Sequence, residues 1–316
     1  MSKLYKKGRE FLSTGQGLLL LVLLPFFFKG ETNHRILQLK LELSLKKKIK
    51  KIIKSSSDIT FSTEVNKKIQ NFDESSIWFM WLQGVDTAPE LVKNNFFYLK
   101  KCFGNRVKLV TEENINTYLN IPDVIYKKWK QHVISNTHFS DIVRVQLLVT
   151  YGGLWIDSTV LVQESFITSI DSKSFVIPRT FPPGSNGKVI SVSSWLIKSE
   201  KNNKFLREVQ NKLIYYWTRE NYLINYFLLH YILIITSEQM DNYLEKTYPV
   251  DNTLPHYLML QMRERKISKK DMQIFLNQFG LIKLTNKSIS ELEKNNYKTL
   301  NSVVRTKGSN DAEPSC

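Results

Sequence analysis

Cysteine is nearly absent: the 316 residues contain two, Cys102 and Cys316. Two thiols, one of them the last residue, exclude a disulfide framework and a cysteine-rich metal site, and they point to a reducing compartment. Glycine (12) and proline (9) are also scarce, which excludes collagen-like and linker-rich architectures. An apolar run near the N-terminus, residues 18–28 (LLLLVLLPFFF), has eleven residues and contains Pro25. It falls short of the ~20 that a spanning helix requires. A basic start followed by a short apolar stretch has the outline of a secretory signal, but Lys29, Gly30 and Glu31 follow where a small-residue cleavage site would stand. No internal repeat is visible. What the chain does have is an ordinary globular composition, 42% hydrophobic and 23% charged, with 18 Phe, 14 Tyr and 6 Trp for packing and for stacking on flat ligands.

Acidic residues are the minority charge, and their shortage is local. Residues 1–54 hold thirteen lysines and arginines against three glutamates, so this segment carries +10 of the net +16. A basic end, as opposed to an even basic coat, suggests a docking arm. Nucleic acid is not the expected partner, because no recognition module and no basic-aromatic interleaving accompany the lysines. Residues 36–54 read two ways: Leu37, Leu39, Leu41, Leu43 and Leu45 alternate like a strand, whereas Leu37, Leu41, Leu45, Ile49 and Ile52/Ile53 line one helical face. The Leu, Lys and Glu content favours helix. The expected arrangement is an amphipathic arm over residues 1–54 lying on an anionic membrane surface, the alternative being a helical pair packed on the main domain.

Residues 55–75 read as a polar linker, 76–304 as one α/β domain, and 305–316 as a disordered tail. Within the domain, residues 77–82 (IWFMWL) form a buried-strand run, a helix follows from Ala88 to Cys102, and residues 106–110 (RVKLV) form a second strand before a Thr111 helix cap. This order predicts a parallel, Rossmann-like sheet. Further strands are expected at 160–162, 175–177 and 189–192, and helices at 203–219 and 221–237. The last is strongly apolar, but Asn225 and His230 interrupt it, so it reads as a core helix.

The chemistry concentrates in residues 138–160 (HFSDIVRVQLLVTYGGLWIDSTV). A helix stops at a double glycine, an apolar strand follows at once, and Asp157 stands at the strand's C-terminal end, the edge at which open α/β sheets bind ligands. A carboxylate there suits a hard cation such as Mg²⁺ or Mn²⁺, and Thr159 shares its face by strand alternation. Asp141 and Arg144 share one face of the preceding helix.

These residues resemble the S-D-x-x-R…Y-G-G-x-(W/Y)-(I/L)-D-x-(T/D) signature of bacterial capsular polysaccharide synthesis glycosyltransferases. The segment is also similar to the wider group of DXD-type sugar transferases, including the glucosylating clostridial toxins. Residues 77–89 (IWFMWLQGVDTAP) resemble the first strand of that group. The resemblance covers roughly residues 76–165. It implies a GT-A fold with an N-terminal helical extension, a nucleotide-sugar donor (a UDP-sugar favoured), Mn²⁺ or Mg²⁺, and retaining transfer to a lipid-linked oligosaccharide in surface polysaccharide assembly. It further implies cytoplasmic placement on the inner face of the cell membrane. Carried over, Trp81 and Gln83 line the nucleotide pocket together with Gly153, Asp141 binds donor-sugar hydroxyls, and Arg144 meets sugar or phosphate oxygens. Asp157 and Thr159 face the metal, and Trp195 and Asn225 are acceptor-side candidates. Thr159 departs from the second carboxylate of a full DXD. The departure motivates a different reading, a non-catalytic membrane-associated scaffold of the assembly machinery.

Overall fold

The computed structural model describes residues 15–27, 29–58, 72, 74–182, 184, 187–287 and 289–310. In chain order the elements are α1 (Gly17–Phe27), α2 (Glu31–Ile52), β1 (Ile77–Met80), α3 (Glu90–Phe103), β2 (Val107–Val110), α4 (Ile115–Tyr118), α5 (Asp123–Lys130), α6 (Asn136–Tyr151), β3 (Gly153–Ile156), β4 (Val160–Val162), α7 (Glu164–Asp171), β5 (Phe175–Arg179) and β6 (Leu196–Ser199). They continue with α8 (Lys204–Arg219), α9 (Leu228–Gln239), β7 (Tyr248–Asp251), α10 (Leu254–Glu264), α11 (Lys269–Phe279), β8 (Leu281–Lys283) and α12 (Glu291–Asn310).

Six strands form the central sheet in the order β2-β1-β3-β6-β5-β7. β1 pairs in parallel with β2 and β3, β5 in parallel with β7, and β6 alone runs against its neighbours β3 and β5. The architecture is therefore α/β with a mostly parallel sheet. Every residue of β1 and β3 is buried, as expected for strands covered on both faces, and this is why both read as unbroken apolar runs. α6 is the most enclosed helix: residues 141–151 are all buried, and it packs against α8 and the sheet. β4 and β8 make a separate antiparallel pair in which Val160 lies opposite Lys283.

The helical reading of residues 36–54 holds, but the helix belongs to the core. Leu37, Leu41, Leu45 and Ile49 are the buried face of α2, Ile53 extends it, and α2 packs on α9 with a Lys46–Glu238 ion pair across the contact. Four-residue spacing puts these side chains on one stripe, and burying that stripe decides between the two periodicities. α1 packs against α2 and is held by the Gln16 Nε2 donor on Leu41 O at 2.5 Å. None of the α1 residues is buried. Among the described residues no helix is long and apolar enough to cross a membrane.

Several boundaries move. Residues 54–58 form a short 3₁₀ turn, and Phe72 inserts its ring among Trp78, Tyr118 and Tyr151; most of the expected linker, residues 59–71 and 73, lies outside the described residues. The expected strand at 189–192 is reduced to one bridge between Val192 and Arg179. The second late helix begins at Leu228 and not at 221, because residues 220–227 form a loop. α12 continues into the expected tail as far as Asn310, and residues 311–316 lie outside the described residues.

The double glycine has a steric cause. At Gly152 (φ +73°) an added Cβ would lie 2.7 Å from the Lys201 amide nitrogen; at Gly153 (φ +95°) it would lie 2.4 Å from Ser76 O. Backbone passes too close for any side chain, and the positive φ values disfavour one independently.

Candidate functional site

From β1 the chain goes to β2 on one side and, after α4 to α6, to β3 on the other. Strand order thus reverses between β1 and β3, and the C-terminal ends of these two strands frame the crevice where open α/β sheets take ligands. Phe79 pairs with Ile156, so Asp157 stands one residue past that level on β3 and Trp81 two residues past it on β1. Two backbone bonds hold the Asp157 turn: its N–H donates to Trp195 O at 2.8 Å, and its carbonyl accepts from Val160 N–H at 2.9 Å. On the β1 side, Trp81 is half-buried and Gln83 exposed, in a turn closed by Gly84 N–H on Trp81 O.

A four-charge cluster sits at this edge of the sheet. Arg144 Nη2 lies 3.3 Å from Asp141 Oδ1 and 3.3 Å from Asp157 Oδ1. Its Nη1 donates to Ser194 O at 2.5 Å and to Ser194 Oγ at 3.0 Å, and its Nε to Ser140 O at 3.4 Å. The guanidinium also lies over the Trp155 ring, 4.9 Å from the centroid. Trp155 Nε1 donates to Asp157 Oδ1 at 2.9 Å. The other Asp157 oxygen, Oδ2, is 3.8 Å from Lys283 Nζ, which also hydrogen-bonds Thr159 Oγ1. Burial lowers the Lys283 pKa, with Asp157 acting in the opposite direction.

Behind the cluster, His138 Nδ1 sits 3.4 Å from Asp141 Oδ2, and the Tyr226 ring packs edge-on to His138 at 5.7 Å. Burial and the Asp141 and Asp157 carboxylates raise the Tyr226 phenol pKa. His230 is pushed down to about 4, chiefly by burial, and among the described residues its Nδ1 has no hydrogen-bond partner. It is a neutral core histidine.

With this geometry in view, the sequence matches the model of the capsular polysaccharide synthesis protein family over residues 27–303. The chain belongs to that family. No curated protein matches it. Among solved structures it is similar to a "PaToxG Glycosyltransferase", at 13% identity and a TM-score of 0.37, over 86% of this chain and 97% of that one. The family match begins before α2 and ends within α12, so it takes in the part of the arm that packs in the core.

In this member of the capsular polysaccharide synthesis family, the expected residues divide into three groups. Asp141, Arg144 and Asp157 come together directly, Thr159 joins them through Lys283, and Trp81 and Gln83 share their edge of the sheet. Arg144, however, is buried and spends its donors on Ser140, Ser194, Asp141 and Asp157. It bridges the two carboxylates. Gly153 stands at the opposite end of β3, ~13 Å from Asp157 at the usual strand rise, and Ser76 O lies where a side chain would go. The close approach of Ser76 O accounts for a glycine at this position. Trp195 is buried in the core with Nε1 on Asn252 Oδ1 at 3.0 Å; its contribution to the site is the carbonyl that holds Asp157. Asn225 lies in the 220–227 loop, and its Oδ1 accepts from Phe227 N–H at 2.9 Å.

The metal expectation meets an unexpected donor set. Asp157 offers one carboxylate already faced by two cationic side chains, and the Thr159 hydroxyl is capped by Lys283. Among the described residues no group of three His, Cys, Asp or Glu side chains could hold a metal ion. The residues present do not fit a protein-held divalent ion. Lys283 escaped the sequence reading because β8 is three residues long and 124 positions from Thr159, with no local motif around it.

Proposed function

We propose that this chain is a retaining, GT-A type glycosyltransferase that moves a hexosyl group from a nucleotide sugar, a UDP-sugar in the first instance, to a lipid-linked oligosaccharide of a surface polysaccharide. The observation that carries the reading is the Asp157 carboxylate at the strand-order reversal of a capsular polysaccharide synthesis protein, held in place by Trp155, Arg144 and the Trp195 carbonyl. Trp81 offers an aromatic face for the base, and Asp141 a carboxylate for sugar hydroxyls. When the bond from C1 to the β-phosphate oxygen breaks, its electron pair stays on the departing nucleoside diphosphate. The acceptor oxygen bonds to C1 and its proton passes to a phosphate oxygen. Positive charge near the phosphates favours that departure.

The test is release of nucleoside diphosphate from UDP-glucose, UDP-galactose, UDP-N-acetylglucosamine and GDP-mannose by the purified full chain, with and without Mn²⁺. Slow hydrolysis of one donor, with a rise in its melting temperature, is the expected result. No hydrolysis and no thermal shift with any donor would favour the scaffold reading.

We also place the enzyme on the inner face of the cell membrane, where a lipid-linked acceptor resides. The supporting feature is α1, on which Leu18, Leu21 and Phe26 are 76%, 69% and 74% exposed, beside a helix whose Lys47, Lys50 and Lys51 are exposed. Apolar side chains and lysines together suit an anionic leaflet. Because α2 is core, α1 is the part to alter. Replacing Leu18, Leu21 and Phe26 together by Ser should lower the fraction sedimenting with anionic vesicles by about tenfold, from the lost apolar burial. Donor hydrolysis should stay unchanged. Undiminished sedimentation would refute this placement.

A further inference from the structure

The Lys283 ammonium stands where a D-x-T motif would present a cation. It contacts Thr159 Oγ1 and lies 3.8 Å from Asp157 Oδ2, the two side chains expected to face a metal. We propose that Lys283 is the built-in cation of this site, binding the diphosphate of the donor and offsetting its charge on departure in place of a divalent ion. The inference rests on the glycosyltransferase reading above.

Three observations carry it. First, Lys283 is delivered by structure: β8 pairs with β4, and the Val160–Lys283 register puts the residue beside the Asp157–Thr159 turn. Second, its side chain is 18% exposed and that of Asp157 25%, so both reach the crevice while Asp141 and Arg144 lie deeper. An ammonium whose partners among the described residues are Thr159 and a carboxylate at 3.8 Å keeps donor capacity for a phosphate oxygen. Third, the balance of charge leaves little attraction for a dication. Asp141 and Asp157 are matched by Arg144 and Lys283, and a second positive centre beside Lys283 would be repelled.

The experiment is isothermal titration of the full chain with UDP, GDP and dTDP, each in EDTA and in Mn²⁺. The expected result is binding of one nucleotide with affinities within about twofold in the two conditions. Lys283→Met should weaken that binding by about tenfold or more, the loss typical of a charge-assisted hydrogen bond, and Lys283→Arg should restore part of it. A chemical melt of each variant checks that the fold persists. Binding that requires Mn²⁺ in the wild type overturns the inference and leaves the glycosyltransferase reading standing, with the ion held by Asp157 and the donor phosphates. Nucleotide binding that Lys283→Met leaves intact overturns it too. Absence of binding to all three nucleotides in both conditions overturns both readings.

Discussion

Asp157→Asn should lower nucleotide-sugar turnover by about 10²–10³-fold, the range seen when a preorganised charge at a reacting centre is removed. The substitution keeps shape and the acceptor for Trp155 Nε1, so the turn that depends on Trp195 O and Val160 N–H survives. What disappears is the negative charge between Arg144 and Lys283. Arg144 retains Asp141, which limits the stability cost to about 1–3 kcal/mol, the worth of hydrogen bonds to a charged group. The two measurements are donor hydrolysis and the urea midpoint. Wild-type turnover in a folded Asp157→Asn protein would remove Asp157 from the mechanism and with it the assigned site.

Arg144→Ala should cost both stability and activity, about 3–5 kcal/mol in the urea unfolding free energy, as when one member of a buried ion pair is deleted. The side chain is buried and links α6 to the Ser193–Trp195 segment through Ser194 O, at the same time neutralising Asp141 and Asp157. Truncation leaves the Asp141 carboxylate, itself buried, with His138 at 3.4 Å as its ion-pair partner among the described residues. Arg144→Lys should recover less than half of the loss. An ammonium has no planar fork to span Ser194 on one side and two carboxylates on the other, nor a flat face to lie over Trp155. An Arg144→Ala protein as stable as the wild type would show that the Arg144 ion pairs contribute no more than surface pairs do, a few tenths of a kcal/mol.

The strands that frame the site were legible because burial on both faces leaves a plain mark: residues 77–80 and 153–156 are apolar or small throughout. β6 was not, since Lys198 and Ser199 interrupt its pattern even though both are buried. β8 is too short for any periodicity to declare itself. Residues 36–54 carried two periodicities at once, and the choice between them was made by α9, against which the four-residue stripe packs.

By itself the sequence determined the elements whose cause is local. Spacing placed Asp141 and Arg144 on one turn of α6, the double glycine ended that helix, and the apolar strand after it carried Asp157 to its C-terminal end. Only the tertiary structure decided what those groups face. It turned Arg144 inward onto Ser194, set Ser76 O against Gly153, drew α2 into the core, and brought Lys283 from a distant three-residue strand to Asp157 and Thr159. The physical reason is range: backbone sterics and hydrophobic period act over a few residues and are written in neighbouring letters. The partner of a buried charge is set by which distant strands pair, and no short stretch of sequence records that.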